Sequence, residues 1–395
     1  MSTETRSPLS WLGRAGLLGL IAVAAGLTLA ATADRAGVSL FGQWPFAISQ
    51  ARGQVIAALG EEDGNTAVAA ANRLVTQAPL RRSNLSLLAT AQQLSGNAQV
   101  ASDIFRVASS LGWRDELAQG YAVNLALGNG EYAIAASRME ALIRAAPDSE
   151  ITRQLVAVIA QVPESRAGLA AAMASGKGWG DNLIAGLHEL PAEEIAQRIP
   201  LLADAYSSGF RASEPLARRE TYRIFPLDPS LGWAFWNAVA GPGDTAEAGL
   251  WNAGFSTIGE SGFAGRAPFE WSRARQTTQT LRVVEVDGQK RLIVSGRNFS
   301  AENVAAQAVP LAAGRYALGW RASAAKLDRP DLLLSADCAE PAAPLEVGPA
   351  IMDKRIFYRL LTVGEECKLA EVRVFAPSGG ASERWIAEPR VLPIE

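Results

Sequence analysis

The sequence predicts an α+β, multidomain chain. It has an N-terminal transmembrane helix, an α-solenoid of repeated helical hairpins and a C-terminal antiparallel β-sandwich of jelly-roll type. Three observations carry this reading. Residues 15–33 (AGLLGLIAVAAGLTLAATA) contain no charge. Between about residues 66 and 147, small and large residues recur at a fixed 34-residue step. Beyond Gly241, helical spacing gives way to short strand-like runs punctuated by Gly, Pro and Asp.

The N-terminal run sets the compartment. As a helix, residues 15–33 would be about 28 Å long, close to the hydrocarbon thickness of a bilayer. Arg6 and Arg14 precede the run and Arg35 alone closely follows it. The positive-inside rule therefore places the N-terminus in the cytoplasm and the body of the protein in the periplasm, with a single pass through the inner membrane. The competing reading is a signal peptide cleaved near Ala33, since Ala31-Thr32-Ala33 has the small-x-small form of a cleavage site. The uncleaved anchor is favoured because the apolar run exceeds a typical signal core. Either way the body is exported. The expected domains are 1–36 (tail and anchor or signal), 44–240 (helical), 241–265 (Gly-rich connector) and 266–395 (sandwich).

The helical region repeats itself. Ala67, Ala101 and Ala135 are spaced 34 residues apart, as are Ala71, Phe105 and Met139, and Leu74, Ala108 and Leu142. Gly96 and Gly130 keep the step, and Pro79 and Pro147 stand two steps apart with Trp113 between them. Small residues in register let paired helices approach closely, and the larger residue one turn later fills the gap between units. The clearest units run over 48–81, 82–115 and 116–149. Past Glu150 the period degrades, Pro163 shortens the next helix, and irregular helices over 191–207 and 214–224 are expected to cap the stack.

This 34-residue pattern resembles the tetratricopeptide repeat (TPR) family, whose units are helix–turn–helix hairpins. The resemblance implies a concave groove lined by the first helix of each unit and holding a segment of a partner protein. It puts Arg52, Ser86, Thr90, Gln93 and Asn124 in that groove, with Ile56 and Leu127 among them. Of the Lys/Asn set with which some relatives clamp a C-terminal carboxylate, only Asn124 is matched, so a chaperone-tail receptor is not expected.

In the C-terminal region, Leu281 to Val286 leads into Asp287-Gly288, a hairpin-turn signal, and then Arg291 to Gly296. Further strands are expected over 316–322, 332–338, 355–363, 369–375 and 385–392. Cys338 and Cys367 fall at strand ends and, in an exported protein, are placed to form one disulfide across roughly 30 residues. Phe269-Glu270-Trp271, the hairpin, Leu311 to Tyr316 and the paired cysteines together resemble carbohydrate-binding modules and galactose-binding-like domains. The whole arrangement resembles bacterial envelope proteins associated with exopolysaccharide systems. That resemblance implies polysaccharide as a partner of the sandwich and suggests Trp271, Trp320 and Trp385 as rings that stack on sugars, against a simpler role in the core.

Composition excludes several functions. Over 395 residues, 49% are hydrophobic and 19% charged, as in folded chains large enough for two cores. A net charge of −3 gives no general pull toward nucleic acid, and none is expected as a partner. The two cysteines exclude a four-thiolate zinc site. The single histidine, His188, lies in an apolar helical pattern and reads as a packed or surface residue. Ser175-Gly176-Lys177-Gly178 lacks the spacing of a phosphate loop, and Gly259-Glu260-Ser261-Gly262 is one residue short of a nucleophile elbow. Asp328 with Asp331 is too sparse for calcium, and Asp244, Glu260 and Glu270 read as ordinary carboxylates. No metal or cofactor is expected. The sequence thus points to a non-enzymatic periplasmic scaffold that binds envelope proteins and assists surface-polysaccharide assembly or export. The alternatives are a carbohydrate-binding module on a helical stalk and, after it, a carbohydrate-active enzyme.

Overall fold

The computed structural model describes residues 48–394, apart from 80, 177, 242–247, 256–257, 259–268, 275, 298–299, 325–328, 340–344, 354–355 and 380–381. The anchor segment at 15–33 lies outside the described residues, as do Asp244, Glu260, Ser261 and Asp328. No helix among the described residues is long and apolar enough to cross a membrane. The chain forms a helical N-terminal half and a C-terminal antiparallel sheet domain. It divides into two compact units, Met1–Leu155 and Val156–Glu395. The division falls inside a helix, Glu150–Gln161, well before the change of composition at Gly241.

The first unit contains the hairpins α1 (Ile48–Gly60) with α2 (Gly64–Gln77), α3 (Arg82–Leu94) with α4 (Ala98–Ser110), and α5 (Glu116–Gly128) with α6 (Tyr132–Ala145). The first helices begin at 48, 82 and 116, and the second helices at 64, 98 and 132. Both series keep the 34-residue step. Ala67, Ala101 and Ala135 have no exposed surface, and Leu74, Ala108, Leu142 and Met139 are equally buried. The repeat is therefore a repeat of core positions, where each large side chain contributes about 1.5–3 kcal/mol by leaving water.

Backbone geometry follows the same step. Gly96 and Gly130 close the turns with φ of +84° and +72°, and Glu62 takes the equivalent place in the first hairpin with φ of +56°. Each joint between hairpins is sealed by a side chain on one carbonyl. Asn84 Nδ2 donates to Ala78 O (3.2 Å), Gln119 Nε2 to Gly112 O (3.1 Å) and Thr152 Oγ1 to Ala146 O (2.7 Å). The acceptors are again 34 apart, although the donors differ in type. These bonds satisfy carbonyls that the ends of helices leave without partners. Trp113, in the place held elsewhere by a proline, is half exposed and carries the Arg138 guanidinium 4.2 Å above its ring.

Helix α7 (Glu150–Gln161) leads into the second unit, and α8 (Pro163–Ser175) begins after a single residue, with Pro163 in its first turn. After two 3₁₀ turns, Trp179–Leu183 and Leu187–Glu189, come α9 (Ala192–Ser207), α10 (Glu214–Ile224) and α11 (Pro229–Ala240). Two antiparallel sheets follow. One joins β1 (Ser272–Arg273), β4 (Glu302–Val309), β10 (Ala370–Ala376) and β6 (Leu333–Cys338), in the order β1-β4-β10-β6. The other has the order β2-β3-β11-β5-β9-β7, with β8 (Ile351–Asp353) also on β9. Its strands are β2 (Thr280–Val286), β3 (Gln289–Ser295), β5 (Gly314–Ala322), β7 (Leu345–Val347), β9 (Ile356–Val363) and β11 (Glu383–Pro393).

Inward residues of both sheets, such as Val372, Leu334, Leu292 and Ile386, share one core. Asp287 and Gly288 form the β2–β3 turn with φ of +52° and +76°, and Val286 pairs with Gln289. The described part of the connector is packed: Leu250 and Phe255 lie in the core of the sheets. Gln307 of β4, itself buried, donates through Nε2 to the carbonyls of both Trp251 and Phe269. Phe269 meets Phe225 and Trp233 edge-on at 5.3 and 4.9 Å, so aromatic rings tie α10–α11 to the sheets. Cys338 and Cys367 form a disulfide. It closes the excursion through β7, β8 and β9, which pair in the other sheet, before the chain returns to β10 beside β6.

Candidate functional site

In the first unit α1 packs on α3 and α3 on α5, so equivalent positions of the first helices form continuous rows. One row is Ile56, Thr90 and Asn124; a second is Leu59, Gln93 and Leu127. Ile56, Gln93 and Asn124 are exposed, whereas Thr90 is half-buried and donates to Ser86 O (2.9 Å). Arg52 is half-buried and reaches Ser83 Oγ at 3.3 Å. Ser86 has no exposed surface, so it cannot line a groove. Its Oγ donates to Asp115 Oδ1 at 2.6 Å, and the same oxygen accepts from Ala118 N at 3.0 Å. Asp115 thereby caps α5 and fastens α3 to it in one contact. Of the five expected polar groove residues, Gln93 and Asn124 are exposed on the first helices, Arg52 and Thr90 are half-buried and Ser86 is buried.

The tryptophans divide differently from the stacking expectation. Trp271 and Trp320 are completely buried in the core of the two sheets, where no sugar ring can reach them. Trp320 Nε1 donates to Leu332 O (3.1 Å), which satisfies its one polar atom inside the core. Trp385 is half-buried, and the Arg291 guanidinium stands 4.5 Å above its ring.

His188 is part of a latch. Its Nε2 faces Arg223 Nη1 at 3.1 Å; a guanidinium only donates, so Nε2 accepts and Nδ1 carries the proton toward Glu220 Oε2 at 2.7 Å. Arg219 Nε holds the other oxygen of this fully buried carboxylate at 3.1 Å. Buried Glu270 is met by Arg218 at 3.3 Å. The phenol of Tyr222 is pushed above its ordinary range by burial and by the charge of Glu270. Every titratable atom of the His188 latch that these contacts involve is taken up internally, which fits a fastening role for α10. Among the described residues, no group of three or more His, Cys, Asp or Glu side chains is placed to hold a metal ion.

The second unit also carries a polar cleft of about 910 Å³ on the outer face of the four-stranded sheet. Ser272, Ala306 and Arg373 are neighbours across β1, β4 and β10, and the small side chains leave a depression there. Tyr222 of α10, 44% exposed, also lines it. These residues are scattered over 150 positions of sequence (222–373), with no local motif to mark them.

No protein-family model matches the chain, and no curated protein matches it significantly. Among solved structures, it is similar to endoglucanase CelQ from Clostridium thermocellum complexed with cellobiose and cellotriose, at 10% identity and a TM-score of 0.14, covering 77% of this chain and 71% of that one. The same enzyme complexed with cellotetraose gives 10% identity, a TM-score of 0.13 and coverage of 80% and 70%. At these scores nothing about fold or activity is carried over.

Proposed function

We propose that the chain is a non-enzymatic scaffold of TPR type, anchored in the inner membrane through residues 15–33. Its first-helix face would hold a segment of another envelope protein in the periplasm, in support of surface-polysaccharide assembly or export. The observation that carries this reading is the 34-residue recurrence of helix starts, turn geometry and joint carbonyls. An array of this kind provides an extended recognition surface without a reactive centre. The charge-free N-terminal run and the Cys338–Cys367 disulfide support export, since disulfides persist in oxidising compartments. The two-sheet region is read as a jelly-roll sandwich serving as a second binding module.

Two measurements test the proposal. Alkaline phosphatase fused after residue 395 is active if the body is exported and inactive if it stays in the cytoplasm. Co-purification of a crosslinked envelope protein is lost in an Ile56→Glu/Asn124→Glu variant whose helical circular dichroism is unchanged. Retention of that partner would remove the first-helix face from the proposal.

A further inference from the structure

The cleft on the outer face of the four-stranded sheet has an unequal charge arrangement. Arg373 is held between Glu371 and Asp337, which neutralise it. Arg273 donates to two backbone carbonyls, Thr277 O (3.3 Å) and Gln279 O (2.9 Å), and pairs with no carboxylate among the described residues. Arg297 is exposed; its backbone carbonyl accepts from Gln279 Nε2 (3.2 Å), while its guanidinium has no hydrogen bond or ion pair with a described residue. Two guanidinium groups therefore line the cleft without a carboxylate partner among the described residues, and planar forks of this type match a carboxylate bidentately.

The rest of the lining narrows the ligand. Exposed Gln276, Thr278 and Ser300 add groups that both give and take hydrogen bonds. A ligand rich in hydroxyl groups would use these as partners. Tyr222, 44% exposed, lines the same cleft and supplies an aromatic ring of the kind that packs on the apolar face of a pyranose. The volume of about 910 Å³ is at the upper end for small-molecule sites and suits an oligosaccharide of a few residues.

We propose that this cleft binds an acidic oligosaccharide, with Arg273 and Arg297 pairing uronate carboxylates, Gln276 and Thr278 taking hydroxyl groups, and Tyr222 stacking on a ring. The assignment adds a ligand class to the scaffold reading and does not depend on the first-helix face. Glycan binding can fail while partner crosslinking on the hairpin array persists, and the reverse also holds.

Isothermal titration of the full chain in detergent with α-1,4-tetragalacturonate, with its neutral methyl ester, with inorganic phosphate and with an eight-residue oligothymidylate is the test. The free acid should bind at least tenfold more tightly than the ester. Arg297→Glu should weaken the acid at least tenfold, and Tyr222→Ala should weaken it more than Tyr222→Phe, with thermal unfolding unchanged in each variant. Equal binding of acid and ester overturns the guanidinium pairing. Equal competition by phosphate reduces the cleft to a general anion site, and tighter binding of the oligothymidylate assigns it to nucleic acid; either overturns the proposal. No binding at millimolar oligosaccharide, or binding that Arg297→Glu and Tyr222→Ala both leave unchanged, also overturns it.

Discussion

In the hairpin array, the side chains that seal one hairpin to the next reach carbonyls only six or seven residues away. In the two-sheet unit the corresponding contacts span far more sequence. Gln307 reaches Phe269 across 38 residues, and Arg384 reaches Gln279 across 105. The first arrangement is local and repeated, so damage at one joint is shared with its neighbours alone. The second closes only when distant segments meet, so one faulty contact is felt throughout the unit. The contrast explains why the two regions should respond differently to substitution.

The largest expected effect is at Gly249. Its φ is +65°, and a Cβ there would stand 1.9 Å from Val391 O of β11, a backbone atom that cannot swing away. Gly249→Ala should cost about 2–5 kcal/mol, from about 1–2 for the left-handed backbone and about 1–3 for the overpacking. Hydrogen exchange should rise across both sheets and leave the 48–149 amides unchanged. Uniform loss of protection in both units would break the comparison. Next in size, Cys338→Ser with Cys367→Ser should lower the stability of the two-sheet unit by about 3–4 kcal/mol in the chain-entropy model. Denaturant melts should shift the sheet transition and spare the helical one.

Smaller effects belong to the array. Gly96→Ala and Gly130→Ala meet no neighbouring atom, so their cost is that of the left-handed backbone alone, about 1–2 kcal/mol each. Urea melts that gave more than twice this loss would mean the turns are coupled over longer distances than the joints suggest. The smallest effect is electrostatic. Asp63 caps α2 by accepting from Thr66 N (3.1 Å), and hydrogen bonds from Thr66 hold its carboxyl below the ordinary value. A pKa depressed in the folded state adds stability above the unfolded-state pKa and loses it as pH falls through the folded-state pKa. The side chain is fully exposed, so the change is slight. An NMR titration of the Asp63 carboxyl should show the downward shift, and Asp63→Asn should remove that part of the acid dependence.

Legibility in the sequence follows the same divide. The 34-residue step was readable because the buried positions repeat in kind: Ala67, Ala101 and Ala135 are chemically identical. The joints were not readable, because Asn84, Gln119 and Thr152 do one job with three different side chains. Asp287-Gly288 announced its turn through conformational demand. Strand β4 (ENVAAQAV) carries little strand signal, because alanine has little strand preference and the run lacks clean alternation. Sugar stacking by Trp271 and Trp320 was a plausible role that burial removes, since sequence cannot tell which face of a strand meets the core. The polar cleft left no local trace, because its parts converge only when α10, β1, β4 and β10 are assembled.

The measurement that bears most directly on the central claim is residue-by-residue photo-crosslinking in intact cells. A photoreactive amino acid is placed in turn at Ile56, Thr90 and Asn124 along the first-helix row, and at Thr66, Val100 and Ile134 along the equivalent row of the second helices. The account predicts adducts to one and the same envelope protein from exposed positions 56 and 124, a weaker adduct from half-buried 90, and none from the second row. Equal adducts from both rows, or adducts only from 66, 100 and 134, would contradict it.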